Sequence, residues 1–465
     1  MSIRVNFAYK SLLTVSFYLM SFISFPYISR LFGVERLGLV NFVDNTVNYF
    51  LLFATMGINT LGVREIAAVK EDRESRSKVA AALLGINLLF TLATLVVYFV
   101  VIATIPRLRE YSDLFYLGAV KILFTALIVE WFFTGIENFK YITLRSIAIR
   151  SCYIVAIFLT IRHGEQYRLY WLLSVAAVVV NAVVNLAYAR RYIDLHLKDL
   201  LDLRYMKSNL TLGVYAIMTS MYLTFNVMYL GLVTDNTEVG YYTTAFKVYS
   251  VILGFFSAFA SVMLPRMSAI VATGDKQSFE RLVIRSFDAV ATFSTPIVLC
   301  STIFAPQIIR VLAGTGYEGA VVPMQIIMPT ICLVAISQVM TLQVLMPMRR
   351  ERILLIISIV GAAVSVIANA LIVKQLHSIG SAIVLLVAEV VVTLLCAIAI
   401  RRDCGIRLPI SLFCRELVLS LPSAAIALVA SRSIDSPFIA LAVGGIPAVA
   451  VWSALHLKTL KVVWG

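Results

Sequence analysis

Eleven polar side chains sit in or at the ends of long apolar segments of this chain, and their types sort into three chemistries. Arg30, Arg64, Lys121, Lys247 and Arg266 are cations suited to an anionic group such as a phosphate headgroup. Asn45, Asn48 and Asn59 can donate to and accept from sugar hydroxyls or phosphate oxygens. Asp44, Glu130 and Glu389 are acids that could bind a coupling proton or sodium ion. An ionisable group at membrane depth costs several kcal/mol unless it faces protein or a water-filled cavity, so each is a candidate for function. Each also has a plainer role. Arg30, Arg64 and Arg266 close spans and suit interfacial anchoring. Lys121 and Lys247 can pair with a carboxylate or extend outward. The amides can join helix to helix, and each acid can be the partner of a base.

The elements that must position these residues are membrane spans. Apolar segments cover roughly 11–32, 39–63, 79–105, 114–135, 146–161, 169–189, 208–233, 239–264, 284–306, 320–346, 353–373, 379–400, 414–432 and 436–456. Most of the 39 Lys and Arg fall at the two ends of the chain and in every second connection. Short basic loops stay cytoplasmic, so this alternation implies fourteen spans with both termini in the cytoplasm. A composition of 61% hydrophobic and 14% charged residues excludes a soluble domain with a polar surface. The net charge of +14 lies in connections that face anionic lipid headgroups, so it calls for no nucleic acid. Lys121 and Lys247 then lie at matched depth, roughly 12 Å from the outer surface at about 1.5 Å per residue.

The chain also repeats itself. Gly38 and Gly240 open spans 2 and 8, and Arg64 and Arg266 close them, both pairs 202 residues apart. Gly118-Ala119 recurs as Gly319-Ala320, and Pro106 as Pro306, at nearly the same offset. Asn45 falls at the position that matches Lys247. Six spans per copy give both copies the same orientation, as in parallel transporter repeats. The expected fold is an all-α integral membrane protein: two pseudo-symmetric six-helix lobes around a central cavity, plus two C-terminal helices. Its parts are an N-terminal lobe (1–189), a cytoplasmic linker (190–207), a C-terminal lobe (208–402) and a final pair of spans (403–465). In the linker Ile193, Leu197, Leu200 and Leu201 share one face of an amphipathic helix. Pro26, Pro296, Pro323 and Pro329 should bend or break their spans.

Chemistry is not the expected task. No connection is long enough for a catalytic domain, and there is no phosphate-binding loop, nucleophile elbow, HExxH or paired acidic motif. The six cysteines lack metal-ligand spacing, so neither a metal site nor a disulfide framework is expected. A non-enzymatic transporter without a cofactor is expected, driven by a proton or sodium gradient or by the membrane potential.

Three stretches carry a family resemblance. FPYISRLFGVERLGLVNFVDNTVNYFLLFATMGINTLGVREIA, from Phe25 to Ala67, resembles the N-terminal signature of bacterial polysaccharide (O-antigen type) flippases. The segments from Trp131 to Arg150 and from Met346 to Glu389 resemble later parts of the same family. The resemblance implies membership of the multidrug/oligosaccharidyl-lipid/polysaccharide exporter superfamily, with two six-span lobes rocking around a cavity. It implies translocation of undecaprenyl-pyrophosphate-linked oligosaccharide, an O-antigen, capsule or exopolysaccharide unit, across the bacterial inner membrane by alternating access. Cavity cations would engage the pyrophosphate, although neither Lys121 nor Lys247 matches a family motif individually. Implied partners are the lipid-linked oligosaccharide, anionic lipids, a polysaccharide polymerase and a chain-length regulator. A multidrug or cation antiporter, or a flippase for the peptidoglycan lipid precursor, is the alternative within the superfamily. Span 1 lacks the acid a cationic drug would need.

Overall fold

In hydrocarbon no water satisfies a free N–H or C=O, so an apolar chain must close its hydrogen bonds within each segment. The computed structural model describes residues 3–456 apart from 195, 197 and 407, and among them all regular structure is helical. Eleven helical stretches among the described residues are long and apolar enough to cross a membrane. The protein is a multi-pass membrane protein. Two of the eleven exceed one crossing: Leu12–Thr55 has 44 residues and Glu351–Asp403 has 53, against about 20 per span. Each turns at one residue of left-handed φ, Gly33 (71°) and His377 (50°). The sequence count of fourteen divides both of these stretches. It also includes 208–233, where some side chains lie outside the described set.

The chain forms two compact units, Met1–Leu232 and Val233–Gly465. The first holds α1 (Ile3–Thr55), α2 (Ile58–Ala68), α3 (Arg73–Thr104), α4 (Pro106–Arg109), α5 (Ser112–Ala126), α6 (Glu130–Gly135), α7 (Phe139–Thr160), α8 (Tyr167–Ala189) and nearly all of α9 (Met206–Val233). The second holds α10 (Asn236–Thr273), α11 (Lys276–Ile303), α12 (Ala305–Ala313), α13 (Val321–Ile327), α14 (Thr330–Gln338), α15 (Glu351–Ala368), α16 (Lys374–Cys404), α17 (Ile410–Ser433) and α18 (Pro437–Leu455). The sequence reading begins its second lobe at 208, whereas the compact units divide after α9. Close packing explains the difference: Gly213 of α9 lies against Met56, and Gly231 lies against the ring of Phe42, with no room for a Cβ at either glycine.

The lipid face of α3 is explicit. Leu89, Leu92, Val96, Phe99 and Val100 are exposed at a spacing of three or four residues, one stripe of a helix with no protein cover. Its opposite face, through Val79, Ala80, Leu83 and Leu84, enters a core with Ile58, Leu61, Trp131, Phe132 and Phe133 from α2 and α6.

Element boundaries repeat with the sequence. Gly33 turns the chain 202 residues before Asp235, which caps α10 by accepting from Glu238 N at 2.9 Å. Asp72 caps α3 by accepting from Ser75 N, and Asp275 caps α11 by accepting from Ser278 N, both at 3.0 Å. These serine donors hold both exposed carboxyls below the usual carboxylate range. The caps therefore act above that range and are lost only as pH falls through the lowered values.

Two expectations change. Pro26 and Pro296 lie inside continuous helices, and Pro323 lies inside α13. Only Pro329 stands at an interruption, between α13 and α14. The linker 190–207 forms no amphipathic helix: a single 3-10 turn, Asp199–Leu201, is its one regular piece among the described residues before α9. Ile193 is buried and Leu200 packs beside it on the α2–α3 core, while Leu201 is 82% exposed. Leu197 lies outside the described residues.

Candidate functional site

The backbone of the first unit breaks twice inside segments that hydropathy treats as continuous. α1 ends at Thr55, Met56 takes φ 40°, and α2 follows; α5 ends at Ala126, Val129 takes φ 42°, and α6 follows. Such conformations are strained for non-glycine residues and concentrate at functional sites. Side-chain amides satisfy carbonyls freed by the second break. Asn87 Nδ2 donates to Ala126 O at 3.1 Å, and Asn185 Nδ2 donates to Ile128 O. The second unit repeats this interruption 201 residues on, where α13 ends at Ile327 and α14 begins at Thr330.

Two cavities lie in this unit, the smaller at both breaks and the larger reaching the second break at Glu130. One of about 410 Å³ is lined by Thr55, Asn59, Asn87, Thr125, Glu130 and Trp131, among others. The other, of about 510 Å³, is lined by Phe17, Glu130, Ser146, Arg150, Tyr153 and Asn181, among others. Glu130 borders both. Its carboxylate accepts from Arg145 Nη2 at 3.0 Å, and Arg145 also donates to Ser146 Oγ at 2.9 Å and to Asn185 Oδ1. In the larger cavity the Arg150 guanidinium stands 4.0 Å over the Phe17 ring, with no ion-pair partner among the described residues.

A second cluster joins α1, α5 and α8. Lys121 Nζ donates to Asp44 Oδ1 at 2.5 Å and to Asn48 Oδ1 at 3.0 Å, Asn48 Nδ2 donates to Asp44 Oδ2 at 3.3 Å, and Nζ lies 5.5 Å from the Trp171 ring. Lys121 is thus charge-compensated, the plainer of its two roles. Lys121→Met should strand the part-buried Asp44 carboxylate and cost about 1–3 kcal/mol. Adding Asp44→Asn should restore most of it. Thermal melts in detergent check this; a double variant as unstable as the single one refutes the pairing.

The remaining candidates scatter. Asn45 Nδ2 donates to Asn41 O in its own helix at 2.8 Å. Arg64 is exposed and pairs with Glu65 at 2.8 Å. Arg30 is exposed near the turn at Gly33, and Lys247 is half-buried in the first third of α10. Arg266 is exposed and lines a cavity of about 330 Å³ together with Arg281, Arg285 and Asp275. Glu389 on α16 is 1% exposed and has no hydrogen-bond or ion-pair partner among the described residues. The last two helices brace the second unit. Glu416 of α17 accepts from Arg415, which reaches Asp288 of α11 at 2.6 Å, and His456 at the end of α18 bonds Glu416 at 2.6 Å. The other His456 nitrogen faces Trp452 O at 2.8 Å. Among the described residues no His, Cys, Asp and Glu group could hold a metal ion.

A family model described as polysaccharide biosynthesis protein matches residues 3–271, more than half of the chain. The chain belongs to that family. It is the polysaccharide flippase family of the exporter superfamily that the stretch from Phe25 to Ala67 resembles. Relatives of the chain include a candidate O-antigen transporter of Escherichia coli (strain K12), 23% identical over 87% of this chain and 98% of that one. A second, from Shigella dysenteriae, is 22% identical over 81% and 94%. These relatives are named as transporters, not enzymes. Among solved structures, the lipid II flippase MurJ in an inward closed conformation aligns with a TM-score of 0.77 at 14% identity, covering 98% of this chain and 100% of that one. An inward-facing MATE family multidrug transporter aligns with a TM-score of 0.61 at 15% identity, covering 82% and 95%. At such identities these two likenesses establish the fold alone.

Within this family member, sequence reasoning passed over four residues that the cavities bring forward. Arg150 lies inside the segment 146–161, where an Arg is itself the signal, yet it reads as the edge of a basic loop. Arg145 looks like a loop residue until burial is known. Asn87 and Trp131 have no marker in a hydropathy profile.

Proposed function

We propose that this protein is a flippase that carries an oligosaccharide linked to undecaprenyl pyrophosphate from the cytoplasmic to the periplasmic leaflet of the inner membrane by alternating access. The observation that carries the reading is the family match, together with alignment over 98% of the O-antigen transporter relative. The fold is common to flippases and multidrug transporters, so it cannot carry the choice. The charge inventory favours an anion. Arg150 borders a cavity without an ion-pair partner among the described residues, and Arg266 shares one with Arg281 and Arg285. These cations, rather than the compensated Lys121, are the proposed contacts of the pyrophosphate, whose charge a guanidinium can bind in bidentate fashion. Both termini lie in the cytoplasm, and the sequence repeats 1–189 and 208–402 are the proposed lobes.

A cycle needs a ligand that binds one state better than the other. No nucleotide motif occurs in the chain, so an ion gradient or the membrane potential is the proposed drive. Asp44 and Glu130 are each tied to a cation, which leaves Glu389 as the proposed ion-binding carboxyl. Glu389→Gln should keep the fold and remove the dependence of flipping on an imposed gradient. A variant that still responds to the gradient as the parent does rules Glu389 out. The function itself is tested by deleting the gene in its host. Lipid-linked oligosaccharide should accumulate on the inner leaflet, shielded from added glycosidase, and surface polysaccharide should fall. Unchanged surface polysaccharide would overturn the proposal.

A further inference from the structure

We propose that the cavity of about 410 Å³ at the two helix breaks of the first unit is a binding subsite for one neutral pyranose ring. Three observations carry it. The first is unpartnered polarity in a buried wall. Asn87 is 3% and Trp131 4% exposed, both line the cavity, and Asn87 Oδ1 and Trp131 Nε1 have no hydrogen-bond partner among the described residues. The amide oxygen requires a donor and the indole N–H requires an acceptor; a hydroxyl is both. Buried polar atoms left in this state cost about 1–3 kcal/mol each, so a ligand that satisfies them gains affinity and selectivity together.

The second observation is charge. Among the described residues the only acid in the lining, Glu130, is held by Arg145 at 3.0 Å, and no Lys or Arg lines the cavity. Neither a free cation nor a phosphate finds an unspent counter-charge there. The other polar groups are neutral: Thr55, Asn59, Thr125 and Thr134. The third is shape. The volume lies at the low end of ligand pockets, about 300–1,000 Å³, enough for one ring with its substituents. Gly62 lies so close beneath Trp131 that a Cβ there would come within 2.5 Å of the indole. That face of the indole is covered. Thr55, the last residue of α1, and Val129, of left-handed φ (42°), both line the cavity, so it lies where both helices stop.

The assignment of this ring to the translocated glycan rests on the proposed function; the sugar site itself does not. The test is saturation-transfer NMR on the full chain in lipid nanodiscs, with methyl α-D-glucopyranoside and N-acetylglucosamine as probes. Trp131→Phe removes the N–H and keeps the ring, and Asn59→Leu alters an exposed lining residue with little bearing on folding. The parent should bind at least one pyranoside saturably, and both variants should still fold and bind it at least about tenfold more weakly, Asn59→Leu at unchanged melting temperature. Failure of both probes to saturate the parent, binding by both variants at parental strength, or displacement by inorganic pyrophosphate would each overturn the proposal. Sugar binding by a protein whose deletion leaves surface polysaccharide intact would preserve the site and refute the flippase. Flipping without sugar binding would do the reverse.

Discussion

Arg150→Ala should slow flipping about 100-fold while leaving the protein folded. The guanidinium stacks 4.0 Å over Phe17 in the wall of the larger cavity, and that contact is worth only about 0.5–1 kcal/mol at a partly exposed site. Its proposed partner, the diphosphate of the substrate, is a different matter. Truncating one side of a hydrogen-bonded charge pair costs about 2–5 kcal/mol, much of it from stranding the other charge. Arg150→Lys retains the charge but loses the planar fork, so it should fall between parent and Ala. Initial flipping rates in reconstituted vesicles, with melting temperatures alongside, separate the cases. Equal rates for parent and Arg150→Ala would remove this residue from the substrate path.

Arg145→Ala should have the largest effect on stability, about 2–3 kcal/mol, because it leaves the buried Asn185 amide oxygen and the half-exposed Glu130 carboxylate without their donor. The side chain of Arg145 is 4% exposed and holds Glu130, Asn185 and Ser146, with the Tyr141 ring 5.6 Å from its guanidinium. Asn185 in turn donates to the Ile128 carbonyl freed by the break between α5 and α6. Loss of Arg145 therefore loosens the interruption that shapes both cavities. Glu130→Gln on the same background should recover part of the loss, since it removes the half-exposed charge that has lost its partner. Thermal unfolding monitored in detergent measures both. A loss below about 1 kcal/mol would mean that the pair contributes no more than an exposed salt bridge.

How much of this was legible depends on the kind of feature. Spans, their basic connections and the repeat are written in composition and period, and the 202-residue offset reappears as the turn at Gly33 and the cap at Asp235. Breaks within spans are not. Residues 126–129 are wholly apolar, 55–58 have Thr55 as their one polar side chain, and neither stretch contains proline, while Pro26 is carried within a helix that turns seven residues later. Tertiary packing, with Gly57 lodged against Asn209 O of α9 at a distance that excludes a Cβ, decides where α1 stops. The candidate site divides in the same way. Span 2 enters from the outer side at 39, which puts Asp44 near the depth of Lys121, so their meeting was available in principle, but depth alone does not say which helices touch. Asn59 and Glu130 proved to share a wall, whereas Asn45 turned back onto its own helix. Arg150 was visible as an arginine within a span and was obscured by the basic loop beside it.

The most direct measurement of the central claim is sidedness in liposomes. Purified protein is reconstituted with a pyrophosphate-linked oligosaccharide, and access of the labelled glycan to a membrane-impermeant glycosidase is followed in time. The account predicts protein-dependent equilibration between leaflets that Arg150→Ala suppresses about 100-fold and the Lys121→Met/Asp44→Asn double variant leaves largely intact. Equilibration no faster than in protein-free vesicles, with folded protein and several glycans, would contradict it.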